Sequence, residues 1–445
     1  MRAKRTLHWR VAPGGSVGGT LTVPGDKSIS HRALMLAALA AGETHINGFL
    51  AGADCLATAH ALQALGVRIE RPADTVVRVH GTGAGGLTAA SGPLDMGNAG
   101  TAMRLMMGLL APQSFDSTLV GDESLMRRPM ERVAAPLQRM GARIHTRQGR
   151  PPVAICGTSP LRAIDYRLPV ASAQVKSALL LAGLAACGCT RLTEPAPSRD
   201  HTERMLGAFG VQLRREGHTV LMEGGQALRG CRLQVPADFS SAAFFVVAGC
   251  LAADRPLLLT NIGVNPTRTG LLELLRRMGA DIQVHARAAA PHGPTAEPVA
   301  DIEVRRSALR GITVPEGLVP LAIDELPVFF IAAACARGET LVRGALELRV
   351  KESDRLAAMA AGLGALGVEH RLLPDGLWIR GADSLGGGAI DSCGDHRVAM
   401  AFAVAALRAR APIEIADVAN VATSFPGFVD TARRAGLGVD APGGH

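Results

Sequence analysis

The stretch SAQVKSALLLAGLAACGCTRL (Ser172–Leu192) decides the fold. It opens on small and polar residues, runs on as an apolar segment of helical length, breaks, and ends as a short strand. The same phrase occurs five more times: SHRALMLAALAAGETHI (Ser30–Ile46), NAGTAMRLMMGLLA (Asn98–Ala111), FSSAAFFVVAGCLAADRPLLL (Phe239–Leu259), DELPVFFIAAACARGETLV (Asp324–Val342) and DHRVAMAFAVAALRARAPIEI (Asp395–Ile415). A second phrase follows each copy, of the type ALQALGVRI, with a shared glycine at Gly66, Gly141, Gly210, Gly279, Gly367 and Gly438. Each glycine reads as the residue just past a helix end, before a strand. Self-similarity at a period of about 74 residues accounts for the whole chain of 445. The first helix of each unit is apolar nearly all round and is expected to be buried; the second is amphipathic and is expected to face solvent on one side. Six units predict an α/β chain of two pseudo-threefold domains, with buried helices inside and sheets outside.

One interval between the shared glycines is longer than the rest. It holds the Pro/Ala-rich insert ARAAAPHGPTAEP (Ala286–Pro298), which reads as an exposed loop. Composition narrows the function classes. Hydrophobic residues at 48% and charged residues at 19% exclude a disordered chain. Aromatics at 3% argue against a single-strand nucleic-acid binder, which needs stacking platforms. A net charge of +8 suits anionic ligands of any size. Only four of the 47 basic residues are lysines, Lys4, Lys27, Lys176 and Lys351. In so arginine-biased a chain a retained lysine is a candidate for proton chemistry, which arginine cannot perform. The eight cysteines include no C-x-x-C pair and read as buried free thiols of a reduced, cytoplasmic protein. No apolar core follows the basic N-terminus, and the longest apolar runs fall short of the ~20 residues of a membrane span. No membrane or nucleic-acid partner and no metal site is expected, and the chain is expected to be a monomer.

The polar starts of the buried helices hold the chemistry. A helix N-terminus carries unsatisfied N–H groups and partial positive charge, so several starts converging on one cleft would form an anion site. PGDKSISHR (Pro24–Arg32) supplies Lys27, Ser28 and Arg32. GNAGTAMR (Gly97–Arg104) lets a ligand approach the backbone at Gly100. RRPMERV places Arg127 and Arg128 before Pro129, a residue suited to the first turn of the next helix. ASAQVKSA (Ala171–Ala178) offers Ser172, Gln174 and Lys176, and PSRDHTERML adds Arg199 and Asp200. PADFSSAAFF (Pro236–Phe245) has no basic residue and reads as a capped helix start. IDELPVFF holds Asp324, either an N-cap or a base of tuned pKa. RVKESDRLAAM (Arg349–Met359) packs Lys351, Glu352 and Arg355 together, and GDHRVAMAF adds His396 and Arg397. Any one of these fits a capped helix with solvated charges. Their recurrence at one position of the repeat favours a shared anion site. The G-x-G-x-x-G of HGTGAGG (Gly81, Gly83, Gly86) follows a strand, but no helix follows it, which excludes a dinucleotide fingerprint.

Taken in order, GDKSISHRA, GNAGTAMR, RRPM, SAQVKSALLLAGL, SRDHTERML, RVKESDR and DHRVAMA span almost the whole chain and resemble the 5-enolpyruvylshikimate-3-phosphate (EPSP) synthase family. The resemblance implies two inverse α/β-barrel-like domains of three βαβαββ repeats each, closing on substrate. One would be residues 25–238, the shikimate-3-phosphate domain; the other would be 1–24 with 239–445, carrying much of the phosphoenolpyruvate site. It implies transfer of the enolpyruvyl group of phosphoenolpyruvate to the 5-hydroxyl of shikimate 3-phosphate, with release of phosphate and no cofactor. Carried over, Lys27, Ser28, Arg32, Ser172, Ala173, Gln174 and Arg199, with Asp324 and Lys351, would hold shikimate 3-phosphate. Lys27, Gly100, Arg128, Gln174, Arg355 and Arg397 would hold phosphoenolpyruvate. Lys27, Asp324, Lys351, Glu352 and His396 would be catalytic: Asp324 takes the proton of the attacking hydroxyl, Glu352 serves the methylene carbon, and Lys27 assists phosphate departure.

Two positions stand apart from the enteric members of the family. ATSFPGF has Thr423 where those carry a lysine, and Leu105 replaces a proline. Family members with alanine at the position of Gly100 exclude the inhibitor glyphosate; glycine here predicts no such exclusion. The sister transferase acting on UDP-N-acetylglucosamine is the nearest alternative, but it would show K-N-A at the first helix and a reactive loop cysteine. This chain has DKSISHR and no cysteine between Cys55 and Cys156. A non-enzymatic anion- or nucleic-acid-binding protein would instead present its cations as an exposed stripe.

Overall fold

The structure, a computed structural model, describes residues 7–83, 85–157, 160–287 and 297–441. Most of the Pro/Ala-rich insert lies outside the described residues. The chain divides into two compact units. One comprises residues 25–236 with Glu297; the other comprises 7–24, 237–287 and 298–441. The division falls two residues before Asp238. Ala237 bridges to Ile262, and the Asp238 N–H donates to the Pro24 carbonyl, so both residues belong to the later unit.

Each repeat contributes one buried and one half-exposed helix. In residues 25–236 these are α1 (Lys27–Leu39) and α2 (Ala53–Ala64), α3 (Gly100–Leu110) and α4 (Glu131–Arg139), and α5 (Ala173–Gly183) and α6 (His201–Ala208). In the other unit they are α7 (Phe239–Ala252) and α8 (Gly270–Arg277), then, after the single turn α9 (Val319–Ala322), α10 (Leu326–Ala334) and α11 (Arg355–Ala365), and α12 (His396–Ala405) and α13 (Phe428–Ala435). Every residue of α7 and of α10 is buried. In α4, by contrast, only Val133, Ala134, Pro136 and Leu137 are. α7, α10 and α12 pack on one another, and α3 packs on α1 and α5. Gly108 permits the last contact, since a methyl there would meet the Ala178 carbonyl at 2.1 Å. Each unit has its own apolar core, built around these helices. At about 1.5–3 kcal/mol per large apolar side chain buried, that core is the main stabilising term.

One main sheet per repeat covers the helices of each unit, and residues 25–236 add a two-stranded parallel pairing of Leu161–Arg162 with Ala186–Cys187. In residues 25–236, Ala41–Asn47, Ser117–Val120 and Cys189–Thr193 each pair antiparallel with the second strand after α2, α4 or α6. Each also pairs parallel with the last strand of the preceding repeat. For the first repeat that strand is Arg232–Gln234, in register Arg232↔His45, so the third repeat closes onto the first. The other unit completes its sheets with the N-terminal arm: Val17–Leu21 runs parallel to Ala253–Gly263, and His8–Val11 antiparallel to Ile413–Ala416.

Three local expectations change. Five of the six shared glycines lie at positive φ after a helix, from 74° at Gly367 to 100° at Gly141; in the sixth repeat that role falls to Gly436, at 109°, rather than Gly438. Gly438 instead lies against the N-terminal arm, where an added Cβ would stand 2.9 Å from the Ala12 Cβ. Pro129 precedes α4, which begins at Glu131, so it is not a first-turn proline. Of the cysteines, Cys187, Cys189 and Cys393 are exposed; the first two flank the turn at Gly188 and point outward. Among the described residues no single helix is long and apolar enough to cross a membrane.

Candidate active site

In residues 25–236 the sequence-singled residues sit at helix starts, most of them those of the buried helices. Lys27 and Ser28 open α1 and Arg32 lies one turn on; Gly100 opens α3; Ser172 caps α5, which Ala173 and Gln174 begin; Arg199 stands two residues before α6; Arg128 follows the 3-10 turn Leu125–Arg127. Side chains tie the starts together. Arg32 donates to the Ser28 carbonyl at 2.9 Å, to Ser177 Oγ of α5 at 2.8 Å and to Thr202 Oγ1 of α6 at 2.7 Å. These acceptors are neutral, and among the described residues Arg32 forms no ion pair. Burial pushes its pKa down to about 10. A buried cation with no carboxylate in direct contact is the kind of group an anionic ligand stabilises.

Gln174 is held at both ends. Its Oε1 accepts from Arg104 at 2.6 Å, and its Nε2 donates to Thr101 Oγ1 at 2.9 Å. Arg128 donates to Asn98 Oδ1 at 2.6 Å and to Ser124 Oγ at 3.4 Å, so two loop residues aim its guanidinium toward the start of α3. Lys27 pairs with Asp54, a nearly buried carboxylate in the first turn of α2. Lys176, by contrast, is not part of this cluster. Its ammonium is wholly buried and held by Glu194 and Glu203, each at 2.7 Å. Asn98, Thr101 and Arg104 lie within the singled segment GNAGTAMR without having been named as site residues, and Asp54 gave no signal at all. Asp54 lies in the second, amphipathic helix, and Arg104 sits inside an apolar run.

His31 lies behind Lys27, one helical turn along. Its Nδ1 is 2.8 Å from Thr58 Oγ1, which itself donates to the Asp54 carbonyl and is thereby placed to accept from the imidazole. Burial, with Lys27 and Arg32 adding to it, holds its pKa well below the ordinary 6.5. A pKa depressed on folding means that the unfolded chain binds a proton that the native state refuses. Stability is therefore full above pH 6.5 and falls as the pH drops below it. His31→Gln should flatten the pH dependence of the unfolding free energy between pH 6.5 and 5, by up to about 1.4 kcal/mol per pH unit at the lower end. Denaturant titrations across that range measure it.

The other unit gathers its singled residues around Arg355, the first residue of α11. Buried, it donates to Asp395 Oδ2 at 2.7 Å and to Glu352 Oε2 at 2.5 Å, and lies 3.5 Å from Asp324 Oδ1. Burial alone would lower its pKa; Asp395, Glu352 and Asp324 together hold it above its ordinary value. The same contact keeps the buried Asp395 carboxyl below the usual carboxylate range, against its burial. Lys351 Nζ stands 3.4 Å from Asp324 Oδ1. Asp324 is not an N-cap: Glu325 occupies that position of α10, without a side-chain capping bond. Arg397 donates to the Asp324 carbonyl at 2.7 Å. His396 Nε2 lies 3.2 Å from Ser424 Oγ, beside Thr423, whose hydroxyl donates to the Asn420 carbonyl. Small hydroxyl residues thus stand at the position of the enteric lysine. Asp324 and Glu352, partly exposed, are two carboxylates sharing one arginine, with a lysine beside the first.

Two repeat-built α/β units, one with cations and hydroxyls at its helix starts and the other with cations and carboxylates gathered around Arg355 at the start of α11, present groups suited to anionic ligands. The family model of EPSP synthase (3-phosphoshikimate 1-carboxyvinyltransferase) matches residues 11–432. A 3-phosphoshikimate 1-carboxyvinyltransferase of Alkalilimnicola ehrlichii is 60% identical over 97% of this chain and 96% of its own. One from Methylococcus capsulatus is 57% identical over 98% and 99%. The solved EPSP synthase of Acinetobacter baumannii superposes with a TM-score of 0.87 at 50% identity, covering 98% of this chain and all of that one. The chain belongs to the EPSP synthase family.

Proposed function

We propose that this protein transfers the enolpyruvyl group of phosphoenolpyruvate to the 5-hydroxyl of shikimate 3-phosphate, releasing phosphate, as a step in aromatic amino-acid biosynthesis. The observation that supports this most is the carboxylate pair: Asp324 and Glu352 share Arg355, and Lys351 stands beside Asp324. Addition and elimination each need an acid and a base, and paired carboxylates among fixed cations supply both.

In this reading Lys27, Ser28, Arg32, Ser172 and Arg199, with the Ala173 backbone, Gln174 and Lys351, hold shikimate 3-phosphate. Lys27, Arg128, Arg355 and Arg397, with Gln174, hold phosphoenolpyruvate, whose carboxylate and phosphate approach the backbone at Gly100. Asp324 accepts the proton of the 5-hydroxyl as its oxygen attacks C2, while Glu352 gives a proton to the methylene carbon. In the elimination Glu352 takes a proton back from the new methyl group, the double bond re-forms, and the C2–O bond to phosphate breaks. Lys27 neutralises the departing phosphate. His396 orders the proton path beside Asp395. The protein is read as monomeric and cytoplasmic.

Gly100 gives a test of the phosphoenolpyruvate half. A methyl group there would stand 2.8 Å from Arg128 Nη1, closer than packing allows. Gly100→Ala should displace the guanidinium and raise KM for phosphoenolpyruvate about tenfold, a cost of ~1.4 kcal/mol, with a smaller change for shikimate 3-phosphate. Steady-state kinetics with each substrate varied in turn measure it. The function itself is tested by mass spectrometry of products formed from phosphoenolpyruvate with each candidate acceptor. Enolpyruvyl shikimate 3-phosphate is the expected product; a product formed only from UDP-N-acetylglucosamine would replace this reading with that of the sister transferase.

A further inference from the structure

The start of α7 has no basic residue, and Asp238 caps it as the sequence suggests. Yet it is wired to the other two buried-helix starts of its unit. Arg268 donates to Asp238 Oδ1 at 2.9 Å and to Ser240 Oγ at 2.7 Å. The Ser240 hydroxyl in turn donates to Glu325 Oε1, and Glu325 Oε1 stands 3.6 Å from Arg397 Nη1. Ser240 lies on α7, Glu325 at the head of α10 and Arg397 on α12. Glu325 is 2% exposed and does not cap its own helix. A buried carboxylate is costly unless it is paired and hydrogen-bonded. This one is retained against an apolar core, bonded to a serine and facing an arginine.

We propose that Glu325 is a positioning residue for Arg397: its carboxylate, braced by Ser240 and Arg268, fixes the direction in which Arg397 presents its guanidinium to an anionic substrate group. The inference rests on the reading that Arg397 holds phosphoenolpyruvate. Arg397 is anchored on one nitrogen only. Nη1 takes the Asp324 carbonyl and faces Glu325, while Nε and Nη2 have no partner among the described residues. That leaves one guanidinium edge, the one that binds a carboxylate or phosphate in bidentate fashion. The anchor also sets the tilt of that edge, and a bidentate contact loses much of its strength with small misplacement.

Glu325→Gln keeps the shape and the bond from Ser240 but removes the charge that faces Arg397. It should raise KM for phosphoenolpyruvate about tenfold, with KM for shikimate 3-phosphate changed less than about twofold. A merely structural Glu325 would move the two KM values together, or neither, so equal or absent shifts overturn the proposal. If Glu325→Gln does not fold, Ser240→Ala keeps the charge and removes the brace; a phosphoenolpyruvate-selective rise in KM of about threefold supports the proposal, and unchanged KM overturns it. Arg397→Lys is the control for the underlying reading. Should Arg397→Lys leave KM for phosphoenolpyruvate unchanged, the assignment of Arg397 fails, and this inference with it. Should it raise that KM while Glu325→Gln and Ser240→Ala do not, only the inference about Glu325 fails.

Discussion

Glu352→Gln is expected to lower turnover by about 10²–10⁴-fold, the range for loss of a positioned acid–base group. The amide keeps the size of the side chain but can neither give a proton to the methylene carbon nor take one back. Both halves of the proposed reaction fail together, and binding of the two substrates should change little. The fold should survive: Glu352 is partly exposed, and Arg355 keeps Asp395 and the more distant Asp324 as partners. Two measurements check this, kcat with both substrates saturating and the thermal unfolding midpoint. A Glu352→Gln enzyme with turnover within threefold of the parent would remove Glu352 from the chemistry.

Lys27→Ala should lower turnover by about 10²–10³-fold, as for other deleted groups that stabilise developing negative charge. This substitution also has a cost in stability, because it leaves Asp54 nearly buried with no cation opposite. The position of Asp54 in the first turn of α2 offsets part of that, so the loss should be up to about 3 kcal/mol. Adding Asp54→Asn separates the two effects. Lys27→Ala/Asp54→Asn should regain most of the unfolding free energy and none of the turnover. If the second substitution restored activity as well, Lys27 would be serving the fold rather than the departing phosphate.

The helices and their order were legible in the sequence because both are local properties. Apolar runs such as Phe239–Ala252 have no polar face to offer solvent, and glycines such as Gly66 and Gly141 mark helix ends by a backbone conformation other residues resist. Pairings across long separations were not legible. Nothing in VGGTL or HWRV says that these strands complete the sheets of the fourth and sixth repeats, since strand pairing depends on what the rest of the fold leaves open. The site divides in the same way. Residue types that bind anions announced themselves at helix starts, as with Lys27, Arg32, Arg355 and Arg397. Their partners did not. Asp54 and Glu325 were not singled out, and only the structure shows which cation each one faces. Lys176 marks the opposite limit: a lysine singled out by its rarity proves to be the centre of a buried ion cluster.

The most direct measurement is phosphate release from phosphoenolpyruvate by the purified protein, with and without shikimate 3-phosphate. Enolpyruvyl transfer predicts release only when both substrates are present, with one phosphate freed for each shikimate 3-phosphate consumed. Release from phosphoenolpyruvate alone, or none with both substrates present, would contradict it.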